Sequence, residues 1–307
     1  MKTIFLTGAS GFLGSYVLEN LLEESQVIVL LRPSSNPWRI SHLIHHKNLS
    51  IIEGSLDQES FLNNIFETTK IDTVCHLAWQ GVENEFRNDS LQVTANLYPS
   101  INLIEISSKH SVQQWIGLGS QAEYGPHSGV IDEHIVTRPS TLYGAVKLSL
   151  MTVGEQISRM GGMSFCWLRL FSSYGPKDNM SWMYCYVIQA LLKGKVPQLT
   201  EGKQMWDYIY VKDAAKAIST IALRGNISGT YNLGSGDSYT VRSIVEMIRD
   251  MIDPSLAFNF GAIPYRDDQV MFLQADISKL SQSIQWLPET TLKDGFYETI
   301  NWHKTII

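Results

Sequence analysis

Eight residues near the start of the chain, Thr7-Gly8-Ala9-Ser10-Gly11-Phe12-Leu13-Gly14, limit what it can fold into more than any other segment. They follow a short apolar run, Thr3–Thr7, and open a helix-forming stretch, Phe12–Glu24. At such a strand-to-helix junction, glycines spaced three apart let the backbone turn tightly and bring its N–H groups close to a pyrophosphate. Gly8 and Gly11 suit the turn, and Gly14 lets the helix pack closely on the strand. The unpaired N–H groups of the first helical turn, with the helix dipole, favour a negative charge there.

The alternation begun at this junction continues. Short runs rich in Ile, Val, Leu and Phe recur at Gln26–Leu31, Leu49–Glu53, Thr73–Leu77, Trp115–Ser120 and Phe165–Phe171, and each reads as a strand buried on both faces. Helical stretches separate them at Ser60–Thr69, Ser90–Lys109 and Thr141–Met160. This pattern predicts an α/β chain with a Rossmann-type, doubly wound parallel sheet over residues 1–171. A strand-and-helix pair at Met205–Leu223 reads as a return to the sheet, assigned as 204–233, and residues 172–307 otherwise read as a smaller C-terminal substrate domain. Further helices are expected near Ser181–Lys193, Val241–Met251 and Leu292–His303.

The formal net charge of −6 gives no general basic field for nucleic acid or an anionic membrane, so a phosphate-bearing ligand needs locally placed donors. Cys75, Cys166 and Cys185 are too widely spaced for a metal site or a disulfide framework, and Cys75 and Cys166 lie in apolar runs that suit the core. The strand-like opening MKTIFLTG lacks the features of a signal peptide, and no apolar stretch reaches the roughly 18 residues of a membrane helix. A cytoplasmic setting is expected.

Two more places bear on chemistry. The run Val27–Leu31 ends in Arg32-Pro33-Ser34-Ser35, where an NAD enzyme usually carries Asp or Glu for the ribose hydroxyls. Arg32 suits a 2′-phosphate and Ser34 can donate to it, so NADP is the expected cofactor. The alternative is NAD, with Arg32 in solvent or stacked on adenine. Tyr143 and Lys147, four apart, share one face of a helix one turn apart. A phenol of pKa ~10 is a poor acid or base at neutral pH, and a nearby ammonium favours its ionised form. Upstream, Ser120 ends an apolar strand and offers a hydroxyl for the oxygen of a reacting carbinol or carbonyl.

With these residues in place, the chain resembles the extended short-chain dehydrogenase/reductase family, specifically its nucleotide-sugar epimerases, dehydratases and ketoreductases. The resemblance rests on Thr7–Gly14, His76–Ala78, Gly119–Gly125, Tyr143–Lys147, Leu168–Pro176, Trp206–Asp213 and Tyr231–Gly236, in family order. It implies that Phe12 and Leu13 offer N–H groups to the pyrophosphate, and that Leu77, Ala78 and Trp79 line the nicotinamide half of the site. Tyr143 and Lys147 would also contact that half, and Asn96 would support it through the backbone. Ser55 and Leu56 stand where relatives hold adenine, although Ser55 replaces the usual Asp. On the sugar-nucleotide side the resemblance implies Ser120, Gln121, Ser172 and Arg266. Trp206 replaces a phosphate-binding Arg, leaving Lys203 as the nearest cation.

Dehydratases of this family need an acid and a base directly after the Ser or Thr, and Gln121 and Ala122 supply neither. Glu123 comes one position late and, on a strand register, is expected to face away. The segment Phe260–Phe272 is similar to that of CDP-abequose and CDP-paratose synthases. With Arg32 suiting NADPH, the leading expectation is an NADPH-dependent 4-ketoreductase of a nucleotide-linked keto-deoxysugar, with the proton from Tyr143. The alternatives are an NAD-retaining nucleotide-sugar 4-epimerase and a non-catalytic dinucleotide sensor. A homodimer through Ser90–Lys109 and Thr141–Met160 is expected, offering Leu91, Leu148, Met151 and Ile157.

Overall fold

The computed structural model describes residues 1–266 and 269–307. The first half runs β1 (Lys2–Thr7), α1 (Phe12–Glu24), β2 (Ser25–Leu31), β3 (Leu49–Glu53), α2 (Glu59–Thr68), β4 (Thr73–His76), α3 (Tyr98–Lys109), β5 (Gln114–Ser120), α4 (Leu142–Met160) and β6 (Ser164–Leu170). The second half runs β7 (Ser172–Tyr174), α5 (Met183–Leu192), β8 (Gln198–Leu199), β9 (Met205–Trp206), β10 (Tyr208–Tyr210), α6 (Val211–Arg224), β11 (Gly229–Leu233), β12 (Tyr239–Thr240), α7 (Val241–Ile252), β13 (Asn259–Phe260), β14 (Phe272–Leu273), α8 (Ser278–Ile284) and α9 (Leu292–Ile306).

Seven parallel strands form one sheet in the order β11-β6-β5-β4-β1-β2-β3. The period-2 alternation of a strand divides its side chains between two cores. Ile4 and Leu6 join the core under α1 and α6, with Cys75, Cys166 and Cys185, whereas Phe5 faces the core under α2, α3 and α4 with Leu62, Leu103 and Leu150. The expected burial of every strand on both faces fails at β3. It is the sheet edge, with Ser50, Ile51 and Glu53 exposed, because among the described residues no strand pairs with its outer side.

Two other elements depart from the sequence reading. The return to the sheet is made by β11 beside β6, not by Met205–Trp206. β9 instead sits between β12 and β14, and β10 pairs with β7. Residues 90–109 are not one α-helix: Gln92–Leu97 form a π-helical turn that leads into α3. Pro99 has no N–H to bond the carbonyl of Ala95, so the α-register cannot run through this point. Met151 and Ile157 pack on the core, while Leu91, Val93, Tyr98, Val153 and Met160 are exposed around α3 and α4. Among the described residues no helix is long and apolar enough to cross a membrane.

His303 on α9 is fully buried, and among the described residues neither ring nitrogen has a hydrogen-bond partner. Burial pushes its pKa down to about 4. The unfolded chain therefore takes up a proton below about pH 6.5 that the folded chain refuses until about pH 4, so stability is lost as pH falls through that window. His303→Leu is expected to remove on the order of 2 kcal/mol of that loss. Urea unfolding at pH 6.5 and 4.5 checks it; equal losses in the variant and the parent would count against it.

Candidate active site

The turn after β1 is built around two glycines. Gly8 has φ +79°, and a Cβ there would lie 2.6 Å from the Ala78 amide nitrogen. A Cβ on Gly14 would overlap the Gly8 carbonyl oxygen. Gly11 caps α1 without any side-chain acceptor, which leaves the first-turn N–H groups uncapped by a side chain, although Phe12 and Leu13 themselves are not among the residues lining the cleft. This crowding, which keeps side chains out of the turn, together with the uncapped helix end, fits a pyrophosphate.

A cleft of about 320 Å³ opens over this turn at the carboxyl ends of the strands. Gly8, Gly11, Arg32, Ser55, Leu56, Leu77, Ala78, Trp79 and Asn96 line it, which brings together most of the residues expected to hold a dinucleotide. Ser34 is exposed and lies outside the lining, where Ser35 stands instead. Ser10, Asp57, Gln80 and Thr94 also line the cleft and were not read from the sequence. Asp57 follows β3, the neighbour of β2, so an acidic residue lines the cleft although β2 itself ends without one.

Behind the cleft, hydrogen bonds fix the ends of β1 and β4. Ser100 donates its one hydroxyl proton to the Asn96 carbonyl at 2.6 Å, so it can only accept from His76 Nε2 at 2.9 Å. His76 Nδ1 then accepts from Thr7 Oγ1 at 2.8 Å, and Thr7 Oγ1 accepts from the Ala78 amide at 3.3 Å. Burial pushes His76 down to about 3, which keeps the ring neutral and this chain intact. The π-helical turn supplies the next layer. Asn96 bonds both the N–H and the carbonyl of Gln80, and Gln92 accepts from Trp79 Nε1 at 2.9 Å while donating to the carbonyls of Gly81 and Phe86.

Ser120, Tyr143 and Lys147 meet beside this wall. Tyr143 opens α4, where its amide donates to the Arg87 carbonyl at 2.8 Å, and its phenol lies near enough to Ser120 for that side chain to lower its pKa. Lys147 donates to the Leu118 carbonyl at 2.6 Å, and its ammonium lies 3.4 Å from the centre of the Trp79 ring. Trp79 in turn packs edge-on against Tyr143. Burial raises the Tyr143 pKa, the Ser120 side chain and the Arg87 guanidinium pull it down, and the Glu123 charge pushes it up. Arg87, 5.5 Å from the Tyr143 ring, was missed by the sequence reading because it comes from a loop without a motif. Burial lowers Lys147 to about 7, opposed by Glu123.

Glu123 does not sit on a strand register. It ends a 3₁₀ turn, Gln121–Glu123, with Gln121 half-buried at its start. Its side chain is fully buried and bonded to Arg169, so it points inward to that partner and not outward.

On the C-terminal side, Ser172 accepts from Trp206 Nε1 at 2.5 Å. Lys203 pairs with Glu201 at 2.6 Å on the surface, and its amide donates to the Tyr265 hydroxyl at 2.9 Å, which ties its segment to that of exposed Arg266. Arg242, stacked on Phe260 and bonded to the Glu201 carbonyl, is a further cation there. The neighbouring Asp267 and Asp268 of the Phe260–Phe272 segment lie outside the described residues. Asp207 is a clasp: its carboxylate accepts from Ser235, Gly236 and Ala275.

Residues 4–234 match the model of the NAD dependent epimerase/dehydratase family. A UDP-glucuronate 4-epimerase of Thermodesulfobacterium geofontis is 26% identical over 99% of this chain and 97% of its own length. A UDP-N-acetylglucosamine 4-epimerase from Methanobrevibacter ruminantium, solved with UDP-N-acetylmuramic acid, superposes with a TM-score of 0.90 at 26% identity over 100% of this chain and 99% of its own. A Bacillus cereus UDP-glucuronic acid 4-epimerase, solved with its substrate and NAD, shares the fold with a TM-score of 0.89 at 24% identity, covering 99% and 100%. These relatives overturn the 4-ketoreductase expectation. That expectation rested on Arg32 and on the 260–272 segment, neither of which is part of the Ser120–Tyr143–Lys147 group. The same three residues serve hydride removal and hydride return alike.

Proposed function

We propose that this chain, which belongs to the NAD dependent epimerase/dehydratase family, is a UDP-sugar 4-epimerase that retains its dinucleotide through the reaction. The observation that carries this reading is the Tyr143–Ser120 pair beside the dinucleotide cleft, with Lys147 as its cationic neighbour and the nearby Glu123 carboxylate bound to Arg169. Gln121 and Ala122 exchange no protons, and Glu123 is held by Arg169. One proton carrier at one oxygen is what inversion of a carbinol needs, whereas elimination of water needs a second.

When bound, the dinucleotide supplies hydride acceptance and return at sugar C4. Tyr143 Oη takes the proton of the C4 hydroxyl as hydride leaves and gives it back as hydride returns. Ser120 holds that oxygen throughout. Arg87 offsets the phenolate charge, and Lys147 takes the nicotinamide ribose from its place over Trp79. Phe12 and Leu13 amides hold the pyrophosphate. Ser172, Lys203 and Arg266 serve the nucleotide diphosphate of the substrate, within the smaller 172–307 portion.

Arg32 and Ser35 favour a 2′-phosphate, and Asp57 in the same cleft favours the free ribose hydroxyl. We assign NAD, as the family description supports. The purified chain is expected to interconvert UDP-glucose, UDP-glucuronate or UDP-N-acetylglucosamine with its 4-epimer without added cofactor, keeping a deuterium label at C4. Washout of that label, or net oxidation of added NADPH, would sink the epimerase reading. NADP among the dinucleotides released by heat would overturn the cofactor assignment.

A further inference from the structure

We propose that Glu123 is a positioning residue, whose buried ion pair with Arg169 fixes Ser120 from beneath and sets the charge felt by Tyr143 and Lys147. This rests on the epimerase reading for the identity of the reaction, though not for the geometry. The strand β5 is built to admit it. Gly117 and Gly119 face Trp167, and a Cβ on Gly119 would overlap both Trp167 Nε1 and Glu123 Oε1. Into the space left by the missing side chains, Glu123 Oε1 accepts from the Ser120 amide at 2.9 Å and from Trp167 Nε1 at 3.0 Å. Glu123 Oε2 accepts from Arg169 Nε at 2.8 Å.

The pair is also anchored from the far side. Arg169 lies opposite Gly119 in the β5–β6 register and stacks on Tyr124 at 4.5 Å, and the Tyr124 hydroxyl donates to Asn232 on β11 at 2.7 Å. Three adjacent elements of the sheet thus hold one carboxylate against one backbone N–H, that of Ser120. A fully buried ion pair is a poor way to gain stability, since desolvation offsets much of its attraction and an apolar pair of similar volume does as well. A fixed geometry and a fixed charge under Ser120 are what an apolar pair cannot provide.

The charge reaches the working pair. The ionisable groups around Tyr143 and Lys147 are His76 on β4, Arg87 in the loop before the π-helical turn, and Glu123 after β5. Arg169 on β6, Tyr124 and, further out, Glu133 surround Glu123 itself. His76 stays neutral; burial is the main cause at both sites, raising Tyr143 and lowering Lys147, and the Glu123 charge adds a smaller upward push on each. Removing its charge lowers the pKa of each.

The test is the double variant Glu123→Gln/Arg169→Gln, which neutralises both partners together and keeps hydrogen-bonding groups at both sites. Turnover is expected to fall about tenfold at a KM within about threefold, with its pH profile moved down by about half a unit or more. A folded double variant with unchanged kcat and pH profile would reduce Glu123 to a core contact. Should it not fold, Glu123→Asp decides, because it keeps the charge and withdraws from the Ser120 amide: kcat must fall with the pH profile in place, and an unchanged kcat overturns the proposal. A parent chain without epimerase activity refutes the epimerase reading alone. The Lys147 pKa, followed by 13C NMR on ε-13C-lysine protein and assigned with Lys147→Met, then still answers. It must fall in the double variant, or in Glu123→Gln if that is the one that folds, and an unmoved value overturns the proposal.

Discussion

Tyr143→Phe is expected to lower turnover of the true substrate by about 10²–10⁴-fold, the range for loss of a positioned general acid or base. The change removes one oxygen and leaves the ring between Trp79 and Arg87. Burial raises the phenol's pKa, with Ser120 and Arg87 as the counterweights, and the phenol acts by taking and returning one proton at one oxygen. Its contribution therefore appears as charge develops on that oxygen, and dinucleotide affinity is expected to stay within about threefold. Single-turnover assays together with dinucleotide titration separate the two effects. A variant keeping more than about a tenth of parental turnover would remove Tyr143 from the mechanism and direct attention to Ser120.

Gly14→Ala is expected to cost at least about 100-fold in dinucleotide affinity, or ~2.7 kcal/mol. The added Cβ would overlap the Gly8 carbonyl oxygen and lie 3.2 Å from Ala9 Cα, both of them backbone-borne and unable to swing aside. Relief requires α1 to shift away from β1, and α1 is the helix that starts directly after the cleft-lining Gly11 and whose flank packs on α6. The melting temperature should fall in parallel, because the displaced contact belongs to the larger core. Isothermal titration with NAD, and the dinucleotide content of the purified variant, measure the effect. A Gly14→Ala chain that retained its dinucleotide would show that the α1 N-terminus is not the binding site.

Much of the frame was legible in the chain itself. Short apolar runs, the glycine junction and the helical stretches depend on local sterics and burial, and these leave their mark within a few residues. The six strands of the first half and α1 lie where those marks put them. Spacing likewise placed Tyr143 one turn from Lys147, and Ser120 at a strand end. The misreadings came where a distant partner decides the outcome. β3 looked like an inner strand and is an edge, because strand order is set by which strands pair. The 90–109 segment looked like one helix, and its π-helical turn wraps side chains around Gln80, Gly81 and Phe86, which are remote from the local pattern.

The sequence by itself determined the parallel α/β sheet, the glycine turn after β1 and the one-turn spacing of Tyr143 and Lys147, since each follows from short-range spacing and backbone freedom. Only the tertiary structure decided what surrounds them. Arg87 over Tyr143, Trp79 under the Lys147 ammonium, Asp57 in the cleft and Glu123 buried against Arg169 join segments up to tens of residues apart. The physical reason is that charge and burial depend on distances in space. A carboxylate such as Glu123 reads as a misplaced proton carrier along the chain, and becomes the buried partner of Arg169 only when β5 and β6 lie side by side.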